Sequence, residues 1–158
     1  MTSTHSSFHL AQVNVARARA PLSSPVMEGF TSAIEAMNRH AESSPGFVWR
    51  LKGSPEADAE TIRLFEDPLL LVTLSVWESP EALRAFAYEG AHGTFFRRRE
   101  EWFQSMNTPN YALWWISAAE LPTLADAHQR LSHLAAHGPT PTAFGFAHLA
   151  QFAAPPVE

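Results

Sequence analysis

The amino-acid sequence predicts an α+β domain built on a four-stranded antiparallel sheet. Three observations carry this. Two runs alternate apolar and polar residues with a period of two; two Ser-Pro steps each open a helix-period stretch; and the elements follow the order strand, helix, strand, strand, helix, strand. With 158 residues, 46% hydrophobic and 17% charged, the chain has the size of one domain with a real core.

In chain order, His9 to Val15 places Ala11, Val13 and Val15 on one side and Leu10, Gln12 and Asn14 on the other. Ser24 reads as an N-cap before Pro25, and Val26, Phe30, Ile34, Met37 and Ala41 recur at helical spacing. Phe47 to Lys52 is a second strand. Gly53 to Glu56 reads as a turn, and Thr61 to Phe65 as a strand or an irregular extension of the hairpin. Leu69 to Trp77 is a strand, with Val72, Leu74 and Val76 opposite Thr73, Ser75 and Trp77. Ser79-Pro80 caps a second helix that runs to about Tyr88, pauses at Gly90 and Gly93, and resumes through Phe95, Phe96, Trp102 and Phe103. Tyr111 to Ile116 is the fourth main strand. Pro122-Thr123 opens a C-terminal helix with Leu124, Leu131 and Leu134 on one stripe, stopping at His137-Gly138-Pro139.

This order is the ferredoxin-like βαββαβ arrangement plus a C-terminal helix, with helices expected on one sheet face. If Ala11, Val13, Val72, Leu74 and Val76 lie under those helices, Gln12, Asn14, Thr73, Ser75 and Trp77 point the other way. Arg50 is expected to join them from the second strand and Trp114 from the fourth. Left bare, Trp77 and Trp114 would form an apolar patch that monomers avoid. Face-to-face pairing of two sheets in a homodimer, a dimeric α/β barrel, is the expected remedy. The domain is expected to span residues 8–146, with flexible tails at 1–7 and 147–158.

Several classes are disfavoured. The formal net charge is −5, and Arg97, Arg98 and Arg99 form the densest basic run, so phosphate neutralisation is poorly served and nucleic acid is not expected. Without cysteine there is no disulfide, thiolate metal site or Cys nucleophile. No apolar run reaches the roughly 20 residues of a membrane helix. Met1 to Ser7 lacks a basic-then-apolar signal, so a cytoplasmic location is expected. No phosphate-cradling loop, nucleophile elbow or dinucleotide fingerprint occurs.

Six stretches together are distinctive: His9-Leu-Ala-Gln-Val-Asn14, Ser44-Pro-Gly-Phe-Val-Trp-Arg-Leu51, Asp67-Pro-Leu-Leu-Leu-Val72, Ser75-Val-Trp-Glu-Ser79, Tyr111-Ala-Leu-Trp-Trp115 and His137-Gly-Pro-Thr140. They resemble the domain-of-unknown-function family DUF3291 from Phe8 to Phe146. That family looks like a branch of the dimeric α/β-barrel superfamily, which includes antibiotic-biosynthesis monooxygenases, heme-degrading monooxygenases and chlorite dismutases. The Trp77-Glu78-Ser79 junction is the closest link. The resemblance implies the fold more strongly than any activity.

The polar strand face is the candidate site: Gln12, Asn14, Arg50, Thr73, Ser75, Trp77 and Trp114 set amide, hydroxyl and guanidinium groups among aromatics, as small-molecule pockets do. The alternative is a water-filled interface that binds nothing specific. Asn14 matches a first-strand asparagine that, by resemblance, helps bind substrate or oxygen; its amide could instead bond local backbone. His92, beside Gly90 and Gly93, is the candidate general base, with Tyr88 a turn before it; otherwise it satisfies backbone at a helix irregularity.

No cofactor is expected. Heme-using relatives by resemblance carry an axial histidine where the alignment from Trp77 places Phe96, which cannot ligate iron; His92 lies one turn earlier. His5/His9 and His133/His137 are i,i+4 pairs without a matching carboxylate, and read as solvated surface histidines.

Two functions follow. One is a cofactor-independent monooxygenase-like enzyme, or a related isomerase or cyclase, with His92 as base, Asn14 and Arg50 stabilising an oxyanion and Trp77 as wall. The other is a non-catalytic small-ligand-binding or stress-associated protein. A heme-binding oxidoreductase is a third reading. In each the partner is a small organic molecule.

Overall fold

The computed structural model describes residues 7–88, 98–106 and 109–154. Strand β1 (Phe8–Ala18) is central. It pairs antiparallel with β3 (Leu70–Trp77) on one edge, and β3 pairs antiparallel with the short β2 (Phe47–Arg50). The other edge of β1 is shared by β5 (Tyr111–Ser117), opposite Phe8 to Asn14, and by the two-residue β4 (Phe103–Gln104), opposite Arg17 and Ala18. The main order β2-β3-β1-β5 is the ferredoxin-like one. β4 makes the sheet five-stranded among the described residues, where the sequence predicts four strands.

Serine-proline steps start three helices. Ser24 Oγ accepts from Val26 N at 3.3 Å, opening a 3₁₀ turn, Pro25–Met27, that leads into α1 (Glu28–Ser43). Ser79 Oγ accepts from Ala82 N at 3.2 Å at the start of α3 (Pro80–Tyr88). The third step corrects two expectations: the turn expected at Gly53 to Glu56 and the strand or irregular extension expected at Thr61 to Phe65 give way to helix α2 (Pro55–Phe65). Ser54 Oγ accepts from Ala57 N at 3.0 Å, Pro55 takes the first helical turn, and Glu56 and Asp58 sit at the positive end of its dipole. After the four-residue α4 (Arg99–Trp102) and β5 comes α5 (Leu124–His137), opened by a Thr123–Asp126 capping box and ended at Gly138.

Gly46 fixes how α3 meets the sheet. Its φ of 83° is left-handed, its carbonyl accepts from Glu78 N at 2.7 Å, and a Cβ there would overlap Ala82.

Both sheet faces are covered by helices of the same chain. Ala11, Val13, Val15, Leu74, Val76 and Trp114 form one continuous cluster with Ala127 and Leu131 of α5, and Phe65 of α2 packs against it. The opposite face carries Leu10, Trp77 and Leu113 against Ala41 of α1 and Leu83 of α3 at one end. At the other end, Ala18 meets Met27 and Phe30, with Ile34 and Leu71 alongside. The helices of the βαββαβ core therefore lie on the Gln12 face, not on the Ala11 face as expected. Helices α2 and α5 cover the Ala11 face of the sheet.

Packing also continues past residue 146. Phe144 exchanges backbone bonds with Leu113 at 2.7 and 3.0 Å, closing part of the outer edge of β5. Leu149 and Phe152, placed in a flexible tail by the sequence reading, pack against the Leu10–Trp77 cluster, and Trp115 Nε1 donates to the Phe152 carbonyl at 2.8 Å.

At the far end of β1 the Arg17 guanidinium meets the Asp67 carboxylate at 2.6 Å. The Leu69 backbone N–H, and then Arg17, hold the Asp67 carboxyl below its ordinary value.

Candidate functional site

Strand pairing sets Asn14 directly opposite Thr73 and Gln12 opposite Ser75, and residues paired in this way project from the same face. These four lie between the two hydrophobic clusters of that face, with Leu10 and Trp77 on one side and Ala18 and Leu71 on the other. Helix α1 reaches both clusters, through Phe30 at one end and Ala41 at the other, a span of about 16 Å at helical rise. The polar patch thus separates the two apolar clusters of that face.

Half of the patch is internally bonded. Trp77 Nε1 donates to Ser75 Oγ at 2.9 Å, and the Ser75 hydroxyl donates to Gln12 Oε1 at 2.7 Å. This relay occupies the Gln12 carbonyl and leaves its amide N–H groups as outer donors. The other half is open. Thr73 is exposed and Asn14 half-buried, and among the described residues neither side chain has a hydrogen-bond partner. The result is a row of neutral donors, Gln12 Nε2, Asn14 Nδ2 and Thr73 Oγ1, suited to an oxygen acceptor such as a carbonyl, enolate or phenolate.

The remaining candidates divide. Trp77 is on the patch face but fully buried; it stacks on Phe86 at 5.1 Å and meets Phe47 edge-on at 5.5 Å, so it anchors the relay and does not line an open wall. Arg50 is in register with Ser75, but its guanidinium is held by Glu42 of α1 at 2.9 Å and donates to the Leu51 carbonyl. Trp114 is a correction: it pairs with Ala11, on the opposite face, and is buried in the apolar cluster. Tyr88 closes α3, largely exposed, with its ring edge-on to Phe146 at 5.7 Å. His92 and Phe96, the residues of the base and heme arguments, lie outside the described residues.

Tyr111 was not among the sequence candidates, yet it pairs with Asn14 from the β5 side, and its hydroxyl accepts from Phe146 N at 3.0 Å. Its signal was parity: once Asn14 faces Tyr111 in register, Leu113 and Trp115 share that face and Trp114 cannot.

Two surface hollows, of about 600 and 460 Å³, flank β2. The first is lined by Glu42, Phe47, Trp49, Arg50 and Lys52, and the second runs between Trp49, α2 and the start of α5. Among the described residues no three His, Asp or Glu side chains converge as a metal site, and no helix is long and apolar enough to cross a membrane.

An antiparallel ferredoxin-like sheet with helices on both faces defines the class: a ferredoxin-like α+β protein that carries the additional helices α2 and α5. The chain belongs to the family described as domain of unknown function DUF3291, whose match spans residues 9–157. Solved structures share the fold. A conserved protein of Methanosarcina mazei is 10% identical with a TM-score of 0.50, covering 70% of this chain and 93% of its own. A Nitrosomonas europaea protein described as an antibiotic biosynthesis monooxygenase is 12% identical with a TM-score of 0.47, covering 74% and 95%. A variant of SnoaB, a cofactor-independent oxygenase of Streptomyces nogalater, is 13% identical with a TM-score of 0.43, covering 73% and 96%. At these identities the likeness concerns the fold alone. No curated protein sequence matches the chain.

Proposed function

We propose that this protein binds a small organic molecule on the Gln12–Asn14–Thr73–Ser75 patch, seating an electron-rich oxygen of the ligand on its donors. The observation that carries this is the contrast within the patch: the Trp77–Ser75–Gln12 relay is satisfied, while Asn14 and Thr73 beside it are solvent-reached and unpartnered among the described residues. Asn14 and Thr73 can therefore exchange water for a ligand oxygen without breaking a hydrogen bond within the chain. Each site is formed by one chain, so binding is expected of a monomer as of a homodimer.

The finer reading is a cofactor-independent oxygenase, or a related isomerase or cyclase. A base removes a proton from an activated CH₂, the patch donors stabilise the enolate, and the carbanion supplies electrons to O₂. One oxygen atom becomes the new carbonyl and the other leaves as water, so no bound redox group is required. His92 is the assigned base. Arg50, already neutralised by Glu42, is the weaker candidate for oxyanion stabilisation, and Asn14 with Thr73 the stronger.

One observation favours the non-catalytic alternative. Gln12, Asn14, Thr73 and Ser75 are all non-ionising, so the described part of the patch holds no base. Native mass spectrometry of the purified protein, followed by ligand titration of Asn14→Ala and His92→Ala, separates the readings. Loss of binding in Asn14→Ala supports the site. Loss of turnover with retained binding in His92→Ala supports the enzyme. If Asn14→Ala retains full affinity, the proposal fails.

A further inference from the structure

Two histidines on the opposite side of the sheet are closer than surface spacing alone requires. His133 and His137 lie one turn apart at the end of α5, with ring centroids 4.5 Å apart and planes inclined by 44°. An imidazole bound to a divalent transition metal at roughly 2.0–2.1 Å has its centroid roughly 3.2 Å from the ion. Two such rings at right angles about one ion are then roughly 4.5 Å apart, and at the tetrahedral angle roughly 5.2 Å. The observed separation matches the right-angle pair.

The surroundings agree. His133 Nε2 is 2.9 Å from Thr140 Oγ1, and the Thr140 hydroxyl is itself fixed, accepting from Thr142 N at 3.1 Å. In the tautomer whose Nε2–H donates to Thr140 the lone pair sits on Nδ1, and an outer hydroxyl in this position favours that tautomer of a metal-binding histidine. The pair occupies the last turn of a 14-residue helix, where the dipole favours positive charge. Arg130, one turn earlier, points elsewhere: its guanidinium bonds the Thr142 carbonyl at 2.8 Å and lies over the Trp114 ring.

We infer that His133 and His137 form a chelating site for a divalent transition metal that prefers tetragonal geometry and imidazole nitrogen, Cu²⁺ before Ni²⁺ and both before Zn²⁺. Two neutral nitrogens from one helix, with water completing the shell, give a surface site separate from the strand-face patch. The second imidazole binds as part of a chelate, so losing either one costs the advantage of linkage.

Calorimetric titration of the untagged full chain with CuCl₂ and with NiCl₂ in a non-coordinating buffer tests this. The expected result is one saturable site that weakens at least about tenfold in His133→Ala and in His137→Ala. His128, whose ring packs edge-on to Phe65, serves as control, and His128→Ala is expected to bind as the native chain does. His137 is exposed, so His137→Ala carries the test even if His133→Ala folds poorly. Native affinity retained in the His133→Ala/His137→Ala double variant, or no saturable binding by the native chain, overturns the assignment.

Discussion

The two faces of the sheet use the same strands in opposite ways. On one, Ala11, Val13, Val15, Leu74, Val76 and Trp114 make an unbroken apolar cluster under α2 and α5. On the other, the apolar packing divides into two clusters, and Gln12, Asn14, Thr73 and Ser75 occupy the interval between them. Side chains alternate along every strand, so both faces have the same backbone geometry. Their difference lies in composition. Within the polar interval Ser75 and Gln12 are tied to the buried Trp77, while Asn14 and Thr73 beside them are open.

The largest expected effect falls on the apolar face. Trp114→Ala removes a buried ring from the continuous cluster and is expected to cost about 3–5 kcal/mol by chemical denaturation. A loss below about 1 kcal/mol would show that this face is looser than described. On the polar face the relay is next. Ser75→Ala strands the buried Trp77 N–H and is expected to cost about 1–3 kcal/mol, while keeping the near-UV aromatic signal of a folded chain.

Asp67 sharpens the comparison from outside both faces. Its folded carboxyl has a lowered pKa, so it contributes stability above the ordinary unfolded value near ~4, and that contribution is lost as pH falls through the lower folded value. Asp67→Asn should flatten the stability profile in that acid window and leave it nearly parallel to the native profile at neutral pH. An unchanged acid slope would assign the acid sensitivity elsewhere. The smallest effect is expected at Thr73→Ala, within about 0.5 kcal/mol, because the side chain is exposed and unpartnered among the described residues.

Much of this division is legible in the sequence. Period-two alternation alone separates Ala11, Val13, Leu74 and Val76 from Gln12, Asn14, Thr73 and Ser75. It does not say which face the helices choose, because Leu10, Trp77 and Leu113 make the second face apolar enough at its ends to hold α1 and α3. Register is likewise invisible along one strand: Trp114 and Trp115 must oppose each other, but only pairing with Ala11 and Leu10 decides which joins Asn14. Helix α2 is legible in the sequence, since Ser54-Pro55 repeats the signal at Ser24-Pro25 and Ser79-Pro80. The segment from Phe144 to Phe152 has no helical or strand period. Its packing arises from tertiary contacts with Leu113, Trp115 and Tyr111.

The central claim is that the polar interval is a binding surface and not a structural feature. The most direct test is the double variant Asn14→Ala/Thr73→Ala, measured for ligand binding and for unfolding free energy in the same preparation. The account predicts lost binding with stability within about 1 kcal/mol of the native chain. Retained binding, or a stability loss of about 3 kcal/mol or more, would contradict it.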